Sequence, residues 1–169
     1  MNDVHDPLTR RKNMQAIKSR DTKPEIKLRS LLHRAGYRFR LNQKVGPAKP
    51  DLVFAKFSAA FFVNGCFWHG HDCPKFHLPV TRADFWRDKI LANQQRDIAQ
   101  INALIAAGWN TGVVWECALS GKNKVPEDEL VSTLAGWFIG DHRWLDVSAL
   151  RSTSSSMFQE SCSSWKPLS

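Results

Sequence analysis

The segment NGCFWHGHDC, residues 64–73, concentrates metal-binding side chains in a way that restricts how the whole chain can fold. Cys66, His71 and Cys73 follow the spacing C-x4-H-x-C, and the small and polar residues between them favour a tight surface loop. A tetrahedral zinc ion needs a fourth ligand. Cys117 is the natural candidate, because it closes the apolar segment VVWEC, which can lie beside the strand that leads to Cys66. The spacing predicts a structural zinc site, and the alternative is buried cysteines that act as small apolar residues.

Hydrophobic periodicity predicts the order α-α-β-β-β-α-β-α, a small α/β fold with helices packed on a mixed sheet. Residues 58–65, SAAFFVNG, are nearly continuous in apolar side chains, as expected for a central strand. Thr22 and Glu25 match a capping box, and Thr81 is the expected N-cap of a long helix. The predicted helices are 6–22, 22–36, 81–108 and 126–140, with an extended piece at 37–43 and strands at 51–57, 58–65 and 109–117.

The positive charge lies in the N-terminal part of the chain. The formal net charge is +8, and residues 1–50 carry 13 Lys/Arg against 4 Asp/Glu, while the rest of the chain carries 11 against 12. Such a block suits a polyphosphate partner, of which nucleic acid is the commonest. The alternative is a solvated basic helix face.

Length and composition predict one domain followed by a tail. A chain of 169 residues can form one hydrophobic core, which we place at residues 1–145, with 1–20 as a basic N-terminal helix. Nine of the last 22 residues are Ser, so residues 146–169 are predicted to be a disordered tail, and Cys162 within it is not expected to be a ligand.

The N-terminal stretch MNDVHDPLTRRKN lacks the apolar run of a signal peptide, and no run of about 18 apolar residues is available to span a membrane. We therefore expect a cytoplasmic protein with no membrane partner. Cysteines are normally reduced in that compartment, which favours metal binding over disulfide formation.

Asp51 begins a predicted strand in the segment KPDLVF, directly after a proline. Mg²⁺ prefers hard oxygen ligands from one or two carboxylates. The next strand, AFFVNG, would run antiparallel and bring Val63 and Asn64 close to Asp51, where a main-chain carbonyl could join the carboxylate. These residues predict a hydrolytic magnesium site, and the alternative is that Asp51 is only a turn residue.

The chain resembles the very short patch repair (Vsr) DNA mismatch endonucleases over residues 3–139. The resemblance rests on TRRKNMQAIKSRDTKPE, PDLVF, VNGCFWHGHDC, TRADFWRDKILANQQRD and GWNTGVVWECAL, of which G-C-F-W-H with the later W-E-C is highly specific. It implies a restriction-endonuclease-like fold, with a mixed β-sheet flanked by helices and an acid-rich magnesium site at its edge. It also implies nicking of the DNA backbone 5′ to the T of a T·G mismatch, the product of 5-methylcytosine deamination.

The resemblance also implies a role for individual residues. Asp51 would be the central Mg²⁺ ligand together with the carbonyl of Val63, and Glu25 would lie near the metal through water. His69 would be the general base, oriented by Asp97. The remaining residues divide into the zinc ligands Cys66, His71, Cys73 and Cys117, the DNA-stacking residues Phe67, Trp68 and Trp86, the residues Lys89 and Asn93 facing the mismatch, and Met14 of the N-terminal helix in the minor groove.

The implied partners are double-stranded DNA with a T·G mismatch and, as a candidate, a mismatch-repair protein such as MutL. A monomer acting on DNA of the bacterial nucleoid is expected. Some family members carry a Thr and a second His before the Gly-Cys pair, where this chain has Val63 and Asn64. Asn64 cannot act as a base, although it can hydrogen-bond a phosphate, so the departure favours His69 as the base.

Helical geometry agrees with part of this assignment. On the long helix, Trp86, Asn93 and Asp97 fall within about 40° of one another. The core face is predicted elsewhere, at Leu91, Ile98 and Ile105.

Each role has a simpler alternative. Glu25 is already explained by the capping box, Trp86 by a place in the core, and Asp97 by a pair with an arginine. For the whole protein, the alternatives are a homing-type or general nicking nuclease of the same fold without mismatch specificity, and a non-catalytic zinc-containing DNA-binding module. Magnesium-dependent cleavage of mismatched and matched duplexes separates all three.

Overall fold

The structure is a computed structural model that describes residues 20–149. The predicted basic helix at 6–22, with Met14, lies almost entirely outside the described residues, as does the tail from residue 150 onwards, with Cys162.

One mixed sheet organises the described part of the chain. Its five strands lie in the order β1-β2-β3-β4-β5, with β1, β2 and β3 antiparallel and β3, β4 and β5 parallel. The elements are α1 (Lys23–Arg34), β1 (Arg40–Leu41), β2 (Leu52–Phe54), a 3-10 turn (Ala55–Phe57), β3 (Ala59–Asn64), α2 (Ala83–Ala106), β4 (Asn110–Trp115), α3 (Glu116–Leu119), α4 (Glu127–Ile139) and β5 (Trp144–Val147). The predicted mixed sheet with flanking helices is confirmed.

The central strand β3 is buried on both faces, as its continuous apolar sequence predicts. On one face Phe61 packs with Leu28 and Leu32 of α1 and with Phe138 of α4. On the other face the neighbouring residues of β3 pack against the long helix α2. Side chains alternate between the faces of a strand, so the odd and even positions of β3 belong to different cores.

The long helix α2 differs from the prediction at its start. It begins at Ala83 rather than after an N-cap at Thr81, and Arg82 in the cap position has a left-handed φ of 57° and no side-chain cap hydrogen bond. The carbonyl of Arg82 accepts the N–H of Trp86, and its guanidinium lies over the ring of Phe85. These contacts close the first turn in place of the threonine.

The predicted core face of α2 was wrong. Leu91, Ile98 and Ile105 are only partly buried. The buried positions, which include one polar residue, are Ile90, Gln94, Ile101 and Leu104. They lie on the same side of the helix as Trp86, Asn93 and Asp97, because the segment 66–73 covers the N-terminal half of that side. Hydrophobicity alone could not find a face on which a glutamine is buried.

The C-terminal part of the sheet also differs from the prediction. β4 ends at Trp115, so Cys117 lies in the short helix α3 and not at the end of a strand. The strand β5 was not predicted, and it crosses the predicted boundary between residues 145 and 146. Parallel pairing with β4 makes this short segment a strand, although its sequence carries little alternation.

Within residues 20–149, no helix combines the length and the hydropathy needed to cross a bilayer.

Candidate functional site

The predicted metal ligands lie together. One ligand atom from each of Cys66, His71, Cys73 and Cys117 can be chosen so that all four lie within 4.8 Å of one another. Three thiols and an imidazole at these distances suit a tetrahedral soft-metal site, for which Zn–S and Zn–N bonds are about 2.3 and 2.0 Å. All three cysteines are free thiols. The donor set therefore fits the metal that the spacing predicts.

Backbone hydrogen bonds fold the ligand segment tightly. The N–H of His71 donates to the carbonyl of Cys66 at 3.0 Å, and the N–H of Cys73 donates to the carbonyl of His71 at 2.8 Å. The pKa of the Cys117 thiol is lowered to about 4, chiefly because the Cys66 thiol donates a hydrogen bond to it. The same hydrogen bond, together with burial, raises the pKa of Cys66. One thiol of the cluster is thus already favoured as a thiolate.

His69 and Asp97 form the predicted pair. Nδ1 of His69 is in direct hydrogen-bond contact with Oδ2 of Asp97, and both side chains are largely buried. The adjacent helical residues hold the loop on either side of this contact. The amide of Gln94 donates to the carbonyl of His69 at 3.0 Å, and the amide of Asn93 donates to the carbonyl of Trp68 at 2.9 Å. Three residues within about one turn of α2 therefore fix the position of His69.

Gly70 allows this close approach of loop and helix. Its φ is +60°, in the region that disfavours other residues, and an added Cβ would lie 2.7 Å from Cγ2 of Ile90 and 2.9 Å from Nε2 of Gln94. Any side chain at this position would push the loop away from α2.

Asp51 lies at the start of β2, beside the end of β3. Its Oδ2 accepts the N–H of Val63 at 2.8 Å. Burial raises the pKa of Asp51 to about 6, against the hydrogen bond from Val63, and the nearby charge of Glu25 raises it further. Arg29 and His69 act in the opposite direction, so both also lie close to the carboxylate.

The carbonyl of Val63 lies on the same side of β3 as its N–H, because both backbone groups of one residue point to the same neighbouring strand. That side faces Asp51, beyond the last residue of β2 that pairs with β3. A carboxylate and a main-chain carbonyl thus converge at one edge of the sheet. Hard oxygen donors of this kind suit Mg²⁺.

Glu25 forms the predicted capping box, with Oγ1 of Thr22 accepting its N–H and donating to its carboxylate. The carboxylate also accepts the N–H of Asp21 and a guanidinium N–H of Arg29 at 2.6 Å. It is buried and close enough to Asp51 to affect its pKa. Glu25 therefore lies near the carboxylate of the candidate metal site while serving the helix N-terminus.

Phe67, Trp68 and Trp86 form one aromatic cluster, called here the aromatic triad. The ring centroid of Phe67 lies 5.1 Å from that of Trp68 and 5.3 Å from that of Trp86, and the two indoles are 5.9 Å apart. All three are partly exposed. The triad is thus a joint surface of the loop and the start of α2, beside His69.

The remaining predicted site residues differ in their surroundings. Lys89 is exposed on α2, whereas Asn93 is held by the loop through its amide and accepts a hydrogen bond from Arg96. Asn64 is 5% exposed, and among residues 20–149 its Nδ2 has no hydrogen-bond partner. Met14 lies outside the described residues.

Sequence reasoning missed three residues that shape the site. Gln94 anchors His69, Arg29 lies between the carboxylates of Glu25 and Asp21, and Gly70 admits the helix. A signal existed for Gln94, since it completes the stripe of Ile90 and Ile101 at helical spacing. No local pattern distinguishes Arg29 from the other basic residues of α1.

The chain is similar to known mismatch and nicking endonucleases. The family model described as DNA mismatch endonuclease Vsr matches residues 2–75. The DNA mismatch endonuclease Vsr of Escherichia coli (strain K12) is 44% identical over 141 residues, which are 83% of this chain and 90% of that protein. Type II nicking enzyme V.XorIIP of Xanthomonas oryzae pv. oryzae is 50% identical over 120 residues, 71% of this chain and 88% of that protein.

Type II nicking enzyme V.NmeAIP of Neisseria meningitidis serogroup A is 42% identical over 122 residues, 72% of this chain and 87% of that protein. Among solved structures, the catalytic domain of homing endonuclease I-Bth0305I is similar with a TM-score of 0.48 and 16% identity, covering 71% of this chain and all of that domain.

The matches to these relatives extend over the part of the chain that holds the candidate site. A match over 141 of the 169 residues must include the loop of residues 66–73 and the helix α2. The chain therefore belongs to the DNA mismatch endonuclease Vsr family and is a DNA endonuclease, as its sequence predicts.

Proposed function

We propose that the protein is a Mg²⁺-dependent, strand-specific endonuclease that nicks DNA 5′ to the T of a T·G mismatch and so begins very short patch repair at deaminated 5-methylcytosine. The contact between His69 and Asp97, beside the partly buried carboxylate of Asp51, carries the proposal. A zinc-containing DNA-binding module without activity would need neither the paired imidazole nor the carboxylate.

The residues at the sheet edge have distinct roles in this proposal. Asp51 and the carbonyl of Val63 would hold Mg²⁺, which when bound neutralises charge on the transferring phosphate. Asp97 holds Nδ1 of His69, which leaves Nε2 as the position that can take a proton from the attacking water. Glu25 would contribute negative charge beside the Mg²⁺ site and would act on the metal through water.

A structural zinc ion would be held by Cys66, His71, Cys73 and Cys117. When bound, zinc ties the loop of residues 66–73 to α3 with no open coordination position. The same loop carries His69 and two members of the aromatic triad. Its folding therefore fixes the base and the DNA-contacting rings relative to each other.

The aromatic triad would enter the base stack at the mismatch, where pairing is already weak. Lys89 and Asn93 would face the mismatched pair, Asn64 would donate to a phosphate, and Met14 would reach the minor groove with the basic N-terminal segment. The excess of 13 Lys/Arg over 4 Asp/Glu in residues 1–50 supports phosphate contacts along this side. The enzyme would act as a monomer on nucleoid DNA in the bacterial cytoplasm, with MutL as a candidate partner.

The test is single-turnover nicking of duplexes that carry one T·G pair, with the flanking base pairs varied, against matched duplexes of the same sequence. We expect Mg²⁺-dependent cleavage of one strand, 5′ to the T, and little cleavage of matched DNA. Asp51→Ala is the inactive control, and it should still bind the mismatched duplex. Equal cleavage of matched DNA would instead favour a general nicking enzyme. The 50% identity to a Type II nicking enzyme supports testing this alternative.

A further inference from the structure

The last strand of the sheet contacts the ligand loop through one aromatic side chain. β5 runs parallel to β4, with Asp146 opposite Val113. Trp115 lies two positions beyond Val113 on the same face of β4. Its Nε1 donates to Oδ1 of Asp146 at 3.1 Å. The indole of Trp115 is 3% exposed, so this hydrogen bond satisfies a buried donor.

Trp115 also contacts two histidines of the loop of residues 66–73, one a candidate zinc ligand and the other the candidate base. Its ring stacks on His71, with centroids 4.1 Å apart and planes inclined by 15°. It also makes a T-shaped contact with His69, with ring centroids 6.4 Å apart and planes inclined by 73°. One indole thus contacts both a candidate zinc ligand and the candidate base. Its Nε1 is held by the hydrogen bond to Asp146.

A second contact comes from the same segment. The N–H of Ala149 donates to Sγ of Cys117 at 3.5 Å, which is within the range for sulfur. Outer groups that hydrogen-bond or orient metal ligands commonly change metal affinity by about 10–100-fold when they are removed. Residues 144–149 therefore contact two of the four ligands, one through Trp115 and one directly.

We propose that Asp146 is a positioning residue of the metal-binding loop, which acts by holding Trp115 against His71. The inference rests on the zinc site of the proposed function. It concerns a residue beyond the segment 3–139 that resembles the family, in a stretch whose sequence predicts only a tail. The hydrogen bond from Trp115 connects Asp146 to the candidate ligands, so its effect is expected to pass through the indole.

Two substitutions at this position separate the hydrogen bond from the charge. Asp146→Leu removes the acceptor, whereas Asp146→Asn keeps an oxygen that can accept from Nε1. The first measurement is the rate at which zinc passes from the full-length protein to an excess of a chromophoric chelator, without DNA. We expect Asp146→Leu to release zinc about tenfold faster or more. Asp146→Asn should behave like the parent, and so should Asp141→Leu, which changes an exposed carboxylate before β5.

The second measurement reports the geometry of the ligands. In protein loaded with Co²⁺ in place of zinc, the thiolate-to-metal absorption bands should shift in Asp146→Leu and remain unchanged in Asp146→Asn. Trp115→Phe keeps a stacking ring but loses the N–H, and it should reproduce the faster release. This variant keeps the test valid if Asp146→Leu does not fold. Combining the two substitutions should add little, since both remove the same hydrogen bond.

The outcomes distinguish this inference from the proposed function. A parent protein that binds no zinc would overturn both. A parent that holds one zinc per chain, with release rates and cobalt spectra unchanged in both Asp146→Leu and Trp115→Phe, would overturn only the role of Asp146. Equal acceleration by Asp146→Leu and Asp146→Asn would mean that the charge matters and not the hydrogen bond, which also overturns it.

Discussion

Nδ1 of His69 and Oδ2 of Asp97 are in direct contact, although the two residues are 28 positions apart and belong to a loop and a helix. The loop is held at the same place by Asn93 and Gln94, which donate to the carbonyls of Trp68 and His69. The imidazole is therefore oriented without DNA. Catalytic groups that are fixed in advance need less reorganisation when the substrate arrives.

Asp97→Asn should slow nicking while leaving binding intact. The Asn amide can donate to Nδ1 and so hold the tautomer of His69 that carries its proton on Nε2, which then cannot accept a proton from water. Loss of a general base commonly costs about 10²–10⁴-fold. His69→Ala should lose at least as much. The measurement is the single-turnover rate on T·G duplex together with a binding titration. Gln95→Ala, on the exposed side of the same helix, is the matched control, and parental rates for His69→Ala would exclude it as the base.

Asp51→Asn should stabilise the Mg²⁺-free protein at neutral pH. Burial raises the pKa of Asp51 from 3.8 to about 6, so the folded state binds this proton more tightly than the unfolded state does. The contribution of Asp51 to the free energy of unfolding is thus largest at acid pH and falls as the pH rises toward about 6.

The difference in unfolding free energy between Asp51→Asn and parent should be near zero at about pH 4 and reach on the order of 1–3 kcal/mol above about pH 6. Urea unfolding across this range measures it, and the parent curve accounts for the titration of all other groups. Asp88→Asn, at an exposed position of α2, serves as the control. A difference that does not change with pH would contradict the raised pKa.

Trp68→Ala should weaken binding to T·G duplex more than binding to matched duplex. The expected loss is about 1–3 kcal/mol, the value of one base–aromatic stack, whereas non-specific affinity depends mainly on phosphate contacts. Parallel titrations at one salt concentration measure the two losses. Phe85→Ala removes an exposed ring that contacts Trp86 but lies outside the loop, so it controls for general loss of aromatic surface. Equal losses on both duplexes would exclude mismatch reading by Trp68.

Cys73→Ser should give protein with less bound zinc and a lower Tm. Removing one thiolate leaves an incomplete site, and structural zinc supplies folding free energy directly. Metal analysis of the purified protein and thermal unfolding test this expectation. Cys162→Ser provides the control, since that cysteine lies in the predicted tail. Well-folded and active parent protein without zinc would contradict the assignment.

Asn64→Leu should raise stability and slow nicking. Nδ2 of Asn64 is buried and has no partner among residues 20–149, and an unsatisfied buried donor costs about 1–3 kcal/mol. A buried amide N–H that is retained although it destabilises the fold is consistent with a donor that binds a phosphate of the DNA. Trp137→Phe removes a second N–H that lacks a partner in the described part of the chain, on the opposite face of the sheet, and should leave nicking unchanged. Parental nicking by Asn64→Leu would exclude the phosphate contact.

Local chemistry was predicted well from the sequence because neighbouring residues carry it. The capping box of Thr22 and Glu25 forms, and Cys66, His71 and Cys73 lie together, because each pattern spans fewer than ten residues. The resemblance to a family supplied the longer-range pairing of His69 with Asp97, which no spacing could reveal.

Tertiary contacts explain what the sequence did not predict. The buried face of α2 includes Gln94 because the ligand loop offers it a carbonyl, and a hydrophobic pattern counts that residue as exposed. Residues 144–147 form a strand only because β4 lies beside them. The N-cap at Thr81 failed since Arg82 closes the turn through Phe85 and Trp86.

The position of β5 at the end of the fold has a consequence for how the enzyme is made. A chain leaves the ribosome from its N-terminus, and Asp51, His69 and Asp97 emerge about 50 residues or more before Ala149. Within residues 20–149, the contacts of Ala149 with Cys117 and of Asp146 with Trp115 are among the last to become available. A nascent chain thus exposes these candidate catalytic residues before the segment 144–149 can pack against Trp115 and Cys117, and an interrupted translation product lacks those contacts.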